Sequence, residues 1–83
     1  MIMNDQEVLN KLQTILRDTF EIDSARVTPT AHLFTDLDLD SIDAVDLAIQ
    51  VQKLTGKRIQ PQEFKDIRTV ADVIVAVQRL LAE

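Results

Sequence analysis

Apolar side chains recur at intervals of three and four in three separate stretches of this 83-residue chain, and no stretch alternates with the period of a strand. The cleanest run is Val70, Val73, Ile74, Val77, Leu80 and Leu81, with Thr69 ahead of it as a cap and Asp72 at the capping-box position. Near the start, Val8, Leu9, Leu12, Ile15 and Leu16 share one face. Asn4 is a good N-cap and Glu7 follows three residues later, so the spacing predicts a helix over 5–19. Phe20 and Ile22 carry the apolar face on into the loop. The third stretch, Ile42–Leu54, contains no Gly or Pro. Asp40 or Ser41 caps it, Asp43 sits near its third position, and Gly56 stands where a left-handed C-terminal cap is wanted. Pro61 opens a short further helix to about Lys65, since Pro is tolerated in a first turn. The fold expected is all-α, a small helical bundle of three main helices plus one short helix, forming a single domain over 1–83.

Between the first two helices, Glu21 to Asp40 loses its period, and Pro29 disfavours helix at Thr28. Val27, Leu33, Phe34, Leu37 and Leu39 should still pin this long loop to the core. About 20 residues without regular structure is long for a compact domain, and such loops usually carry function.

Composition removes whole classes of activity. The chain has no Cys, which excludes disulfide frameworks, thiolate metal sites and cysteine nucleophiles. Three Phe, with no Trp and no Tyr, give little material for base stacking or an aromatic-lined pocket. MIMNDQEVLN has no basic n-region and no apolar core, so it does not read as a secretory signal. No segment approaches the roughly 18 apolar residues of a membrane span. A cytoplasmic location is the expectation.

Charge is more informative in its placement than in its sum. The formal net charge is -5, and residues 36–46 alone hold five Asp and no base. The rest of the chain balances. Such a patch repels phosphate backbones, which argues against a nucleic-acid partner.

Two apolar stripes run along the third stretch: Leu47, Ala48, Val51 and Leu54 on one side, Ile42, Val45 and Ile49 on another. A helix with one buried face needs only one stripe. The second is surplus.

Four readings compete for the segment Asp36–Asp46. In the simplest, Ser41 and the Asp residues only cap a helix and complement its dipole, which leaves the surplus stripe unexplained. A calcium loop matches at Asp36, Asp38 and Asp40, then fails, because Ser41 stands where Gly is needed and Leu47 where Glu is needed. No metal site is expected. A hydrolase with Ser41 as nucleophile lacks the glycines of a nucleophile elbow, and His32 is the sole His. Five carboxylates nearby would oppose an alkoxide and an oxyanion. No catalytic residue is assigned. In the fourth reading Ser41 is a tether, an exposed hydroxyl that another enzyme modifies.

Here the residues carry a resemblance. Leu39-Asp40-Ser41-Ile42-Asp43-Ala44-Val45-Asp46-Leu47 resembles the Asp-Ser-Leu motif of the acyl carrier proteins. The order of elements resembles that family over nearly the whole chain, through Pro61 and the Ile67-Arg68-Thr69-Val70 start of the last helix. The resemblance implies a non-enzymatic carrier with 4′-phosphopantetheine, drawn from coenzyme A, on Ser41 as a phosphodiester. Acyl intermediates would ride on it as thioesters between enzymes of fatty-acid or polyketide-like biosynthesis. It implies that Ile42, Val45 and Ile49 face partner enzymes, and that Asp36, Asp38, Asp40, Asp43 and Asp46 attract their basic patches. The partners implied are a phosphopantetheinyl transferase, a ketosynthase and other acyl-processing enzymes, with the carrier itself monomeric. Aliphatic residues such as Leu47, Val51, Val70 and Ile74 could part to shelter an acyl chain.

The match departs in three places. Ile42 replaces the commoner Leu, and Asp38 stands where the family often has Gly. Later in the same helix, where many fatty-acid carriers are acidic, this chain reads Gln50, Gln52 and Lys53, followed by Lys57 and Arg58. That points toward a specialised, type II polyketide-like or aryl-polyene-like pathway. Two alternatives stand beside the acyl carrier. A peptidyl carrier usually places Gly-Gly ahead of its Ser, where this chain has Leu37-Asp38-Leu39. An unmodified helical adaptor would use the Ile42/Val45/Ile49 face alone.

Overall fold

The computed structural model describes residues 4–59 and 66–82. The short helix expected from Pro61 to about Lys65 lies outside the described residues. Three α-helices make up the described fold: α1 (Asp5–Phe20), α2 (Ser41–Thr55) and α3 (Val70–Ala82). Each begins and ends close to where the sequence signals place it, and the differences are local.

α1 starts on a capping box: Asn4 Oδ1 accepts from the Glu7 amide at 2.8 Å, and Glu7 Oε1 accepts from the Asn4 amide. It runs one residue past the expected end and takes in Phe20. Glu21 then turns left-handed at φ 58°, and the Ile22 amide reaches back to Leu16 O. That wrap buries Ile22 and turns the chain onto the core.

The long loop is not wholly irregular. It contains one turn of 3₁₀ helix, Ser24–Arg26, capped by the Asp23 carboxylate on the Ala25 amide. Gln13 on α1 holds this turn by donating to Val27 O and Ser24 O. Further on, the loop runs against the start of α3. Leu33 N donates to Arg68 O, Val70 N to Ala31 O and Ala71 N to Pro29 O, with an antiparallel bridge between His32 and Thr69. Its buried side chains Val27, Ala31, Leu33, Leu37 and Leu39 complete the core, and Phe34 packs half-buried against it.

α3 supplies the centre of the bundle and touches both other helices. Val70, Val73, Val77 and Leu80 are all buried and meet Val8, Leu12 and Leu16 from α1 and Leu47 and Val51 from α2 in one cluster. Its start is fixed by the expected pair: Thr69 Oγ1 accepts from the Asp72 amide, while Asp72 Oδ2 accepts from the amides of Arg68 and Thr69. These bonds, the Arg68 amide first, hold the Asp72 carboxyl below its ordinary pKa.

Candidate functional site

The start of α2 is where the sequence concentrated its unusual residues, and its geometry separates them into two groups. Asp40 is the N-cap. Its carboxylate accepts from the Asp43 amide at 2.9 Å, its carbonyl accepts from the Ala44 amide, and Asp43 returns a carboxylate oxygen to the Asp40 amide. Ser41 is therefore the first residue of the helix. It is exposed, and the capping that its hydroxyl could have performed is done by its neighbour.

Asp36 and Asp38 also have local partners. Asp36 Oδ2 accepts from the His32 amide at 2.8 Å. Asp38 lies 3.9 Å from the Arg26 guanidinium, which also donates to Asp36 O. Asp38 adopts φ 58°, the left-handed region that Asp tolerates better than most residues and Gly tolerates freely. The three carboxylates that resemble an EF-hand start thus turn to three different partners: a backbone amide, a guanidinium and a helix cap. Among the described residues, no three His, Cys, Asp or Glu side chains group as a metal site would need.

His32 is also accounted for. Its Nδ1 accepts from the amides of Phe34 at 3.2 Å and Thr35 at 3.3 Å, closing the turn before Leu37. Both amides are directed at the Nδ1 lone pair, which engages that nitrogen in the turn and not toward Ser41. The ring also stands beside Phe34, with centroids 5.9 Å apart.

The surplus stripe is exposed. Ile42 is 76% exposed, Val45 62% and Ile49 42%, whereas Leu47 and Val51 on the opposite side are fully buried. One helix face builds the core, and the other presents three branched apolar side chains to solvent beside Ser41. Burying them would be favourable, so the face is suited to a partner. Asp43 and Asp46 flank it.

Two features were not singled out from the sequence. Arg26 ties the approach to Ser41 through Asp36 and Asp38. The available signal was its isolation, since no other base lies between Arg17 and Lys53. The second is a shallow depression of about 390 Å³ at the far end of α2, where Ile49 meets the polar and basic residues that follow it.

Known proteins bear on this geometry. Residues 10–77 match the family model described as a phosphopantetheine attachment site. The chain is 62% identical over 80 residues to "Acyl carrier protein 2" of Ralstonia nicotianae, covering 96% of this chain and 99% of that protein. It is 35% identical over 72 residues to an acyl carrier protein of Lactobacillus acidophilus, covering 87% of this chain and 90% of the other. Its fold is similar to the crystal structure of an acyl carrier protein from Thermotoga maritima, with a TM-score of 0.86 at 29% identity, over 96% of this chain and 93% of that one. With a match of this extent in both sequence and fold, the chain belongs to the acyl carrier protein family, whose members are not catalysts but carry acyl groups on a covalently attached 4′-phosphopantetheine.

Proposed function

We propose that the chain is a single carrier domain on which Ser41 Oγ is the attachment point. The observation that carries this is the division of labour at the helix start: Asp40 caps α2, and Ser41 next to it is left exposed as its first residue. The surroundings suit the group. A phosphodiester is anionic, and the first turn of a helix offers unpaired amides and the positive end of its dipole. Asp40 takes the amides of Asp43 and Ala44, so those of Ser41 and Ile42 are the donors beside the hydroxyl.

In this reading Ile42, Val45 and Ile49 form the apolar centre of the partner face. Asp36, Asp38, Asp40, Asp43 and Asp46 form its acidic rim. A rim of this kind speeds encounter with basic patches and leaves release fast, which a carrier visiting several enzymes needs. The partners are the transferase that loads Ser41, then a ketosynthase and related acyl-processing enzymes. No helix among the described residues is long and apolar enough to cross a membrane, and the carrier works in the cytoplasm. Residues 47–59 hold three bases and no acid, and this departure favours a specialised carrier, of the type II polyketide-like kind, over a general fatty-acid one.

The unmodified adaptor is separated from the carrier by Ser41→Ala. In cells that depend on this protein, a carrier loses all function with that change, whereas an adaptor using the Ile42/Val45/Ile49 face keeps it. Acyl sheltering is tested on the loaded protein. A long acyl chain should shift the core methyl signals of Leu47, Val51, Val70 and Ile74, all buried here. Methyl signals and a melting temperature identical to those of the unacylated protein would contradict sheltering.

A further inference from the structure

The two ends of α2 carry opposite charge. Residues 36–46 hold five acids and no base, and residues 47–59 hold Lys53, Lys57 and Arg58 and no acid. Complementing the helix dipole accounts for the sign at each end, because acids suit an N-terminus and bases a C-terminus. It does not account for Ile49. That side chain is 42% exposed and forms one wall of a depression of about 390 Å³ with Gln52, Lys53, Gly56, Lys57 and Arg58. Gly56, at φ 69° as the left-handed cap, has no side chain, and nothing would lie within 4 Å of a Cβ placed there. The floor is open as a result. An apolar wall with cations around it matches an apolar side chain flanked by carboxylates.

We propose that this depression is a second docking subsite, which takes a protruding segment of a partner enzyme that bears Asp or Glu beside an apolar side chain. The proposal rests on the carrier reading above and deepens it. The acidic rim around Ser41 meets a basic patch, and the basic end of α2 meets an acidic one. Asp46 and Lys53 are seven residues apart, so about 10 Å separates them along the axis at 1.5 Å per residue. That distance is close to the screening length at 0.1 M ionic strength, so a partner can sense the two signs separately. The arrangement fixes orientation. A partner with matching polarity aligns α2 in one direction, with Ser41 at the end where its own basic patch lies. A uniformly basic partner meets repulsion at Lys53 and Arg58, so the device selects against enzymes built for a carrier that is acidic along the whole helix.

The test uses the full-length, isotopically labelled holo-protein and two defined probes, the capped peptides Asp-Leu-Glu-Ile-Asp and Lys-Leu-Lys-Ile-Lys. The acidic peptide should shift the amides of residues 49–58, and the basic peptide those of residues 36–46. Raising the salt concentration should weaken both. The double variant K53E/R58E should weaken the acidic peptide by about threefold to tenfold, while circular dichroism shows its helices intact. The neutral pair K53Q/R58Q should fall between the two. The proposal is overturned if the acidic peptide leaves residues 49–58 unmoved, or if charge reversal changes its affinity by less than twofold. It is also overturned, in favour of a lipid surface, if phosphatidylglycerol vesicles shift those amides and the acidic peptide does not. Failure of the carrier reading is read separately: the protein would not gain phosphopantetheine on loading, whereas the peptide titrations are equally readable on the unloaded chain.

Discussion

At the scale of single residues, the molecule turns on which of two neighbours does the capping. Asp and Ser are comparable N-caps, and a sequence with both in succession does not say which one takes the position. Asp43, three residues after Asp40, settles it by completing a reciprocal pair. The expected consequence is an asymmetry in stability. Asp40→Ala should cost about 1 kcal/mol, the usual cost of losing a cap, and Ser41→Ala should stay within about 0.5 kcal/mol. Urea denaturation of the two variants measures this, and equal losses would mean that Ser41 has a structural task after all. A second residue-scale prediction concerns acid. Asp72 has its pKa lowered in the folded chain by the Arg68 and Thr69 amides. The stability it contributes is fully present above the unfolded carboxylate value near about 4 and is lost as pH falls through the lower folded value. Asp72→Asn should lower stability at neutral pH and flatten the acid limb, as read from denaturation midpoints between about pH 5 and pH 2. Parallel acid limbs for variant and parent would contradict the assignment.

At the scale of elements, the three helices were legible because each carries a period, a start signal and, for α2, a Gly at its end. The surplus stripe was legible for the same reason, and its exposure is what a second period on one helix implies. The loop was legible only as an interval with apolar anchors. Its backbone bonds to the start of α3 join residues about 35 to 42 positions apart, from Leu33 with Arg68 to Ala71 with Pro29. No local pattern encodes such pairings. Left-handed backbone at Glu21 was equally invisible, whereas at Asp38 the one hint was that it stands where the family often has Gly. The contrast between the two helix faces gives a sharp expectation. Leu12→Ala, at a fully buried position in α1, should cost roughly 2–4 kcal/mol, whereas Ile42→Ala should cost under about 0.5 kcal/mol yet slow acyl transfer to partner enzymes. If Ile42→Ala destabilises the fold as Leu12→Ala does, its stripe belongs to the core and not to a partner.

For the whole molecule, the balance of charge decides behaviour that no single bond does. Five Asp within eleven residues repel one another, and the hydrogen bonds of Asp36, Asp40 and Asp43 and one exposed ion pair between Asp38 and Arg26 offset this only in part. The melting temperature should therefore rise with salt or magnesium, because screening acts over about 10 Å at 0.1 M ionic strength. A melting temperature insensitive to both would show that the local partners already cancel the repulsion.

Ser41 as the tether is tested by the intact mass of the purified protein after incubation with coenzyme A, magnesium and a broad-specificity phosphopantetheinyl transferase, with peptide mapping and Ser41→Ala as control. The protein should gain one phosphopantetheine, mapped to the peptide containing Ser41 and absent from the variant. A folded protein that gains nothing, or a gain that persists in Ser41→Ala, would contradict it.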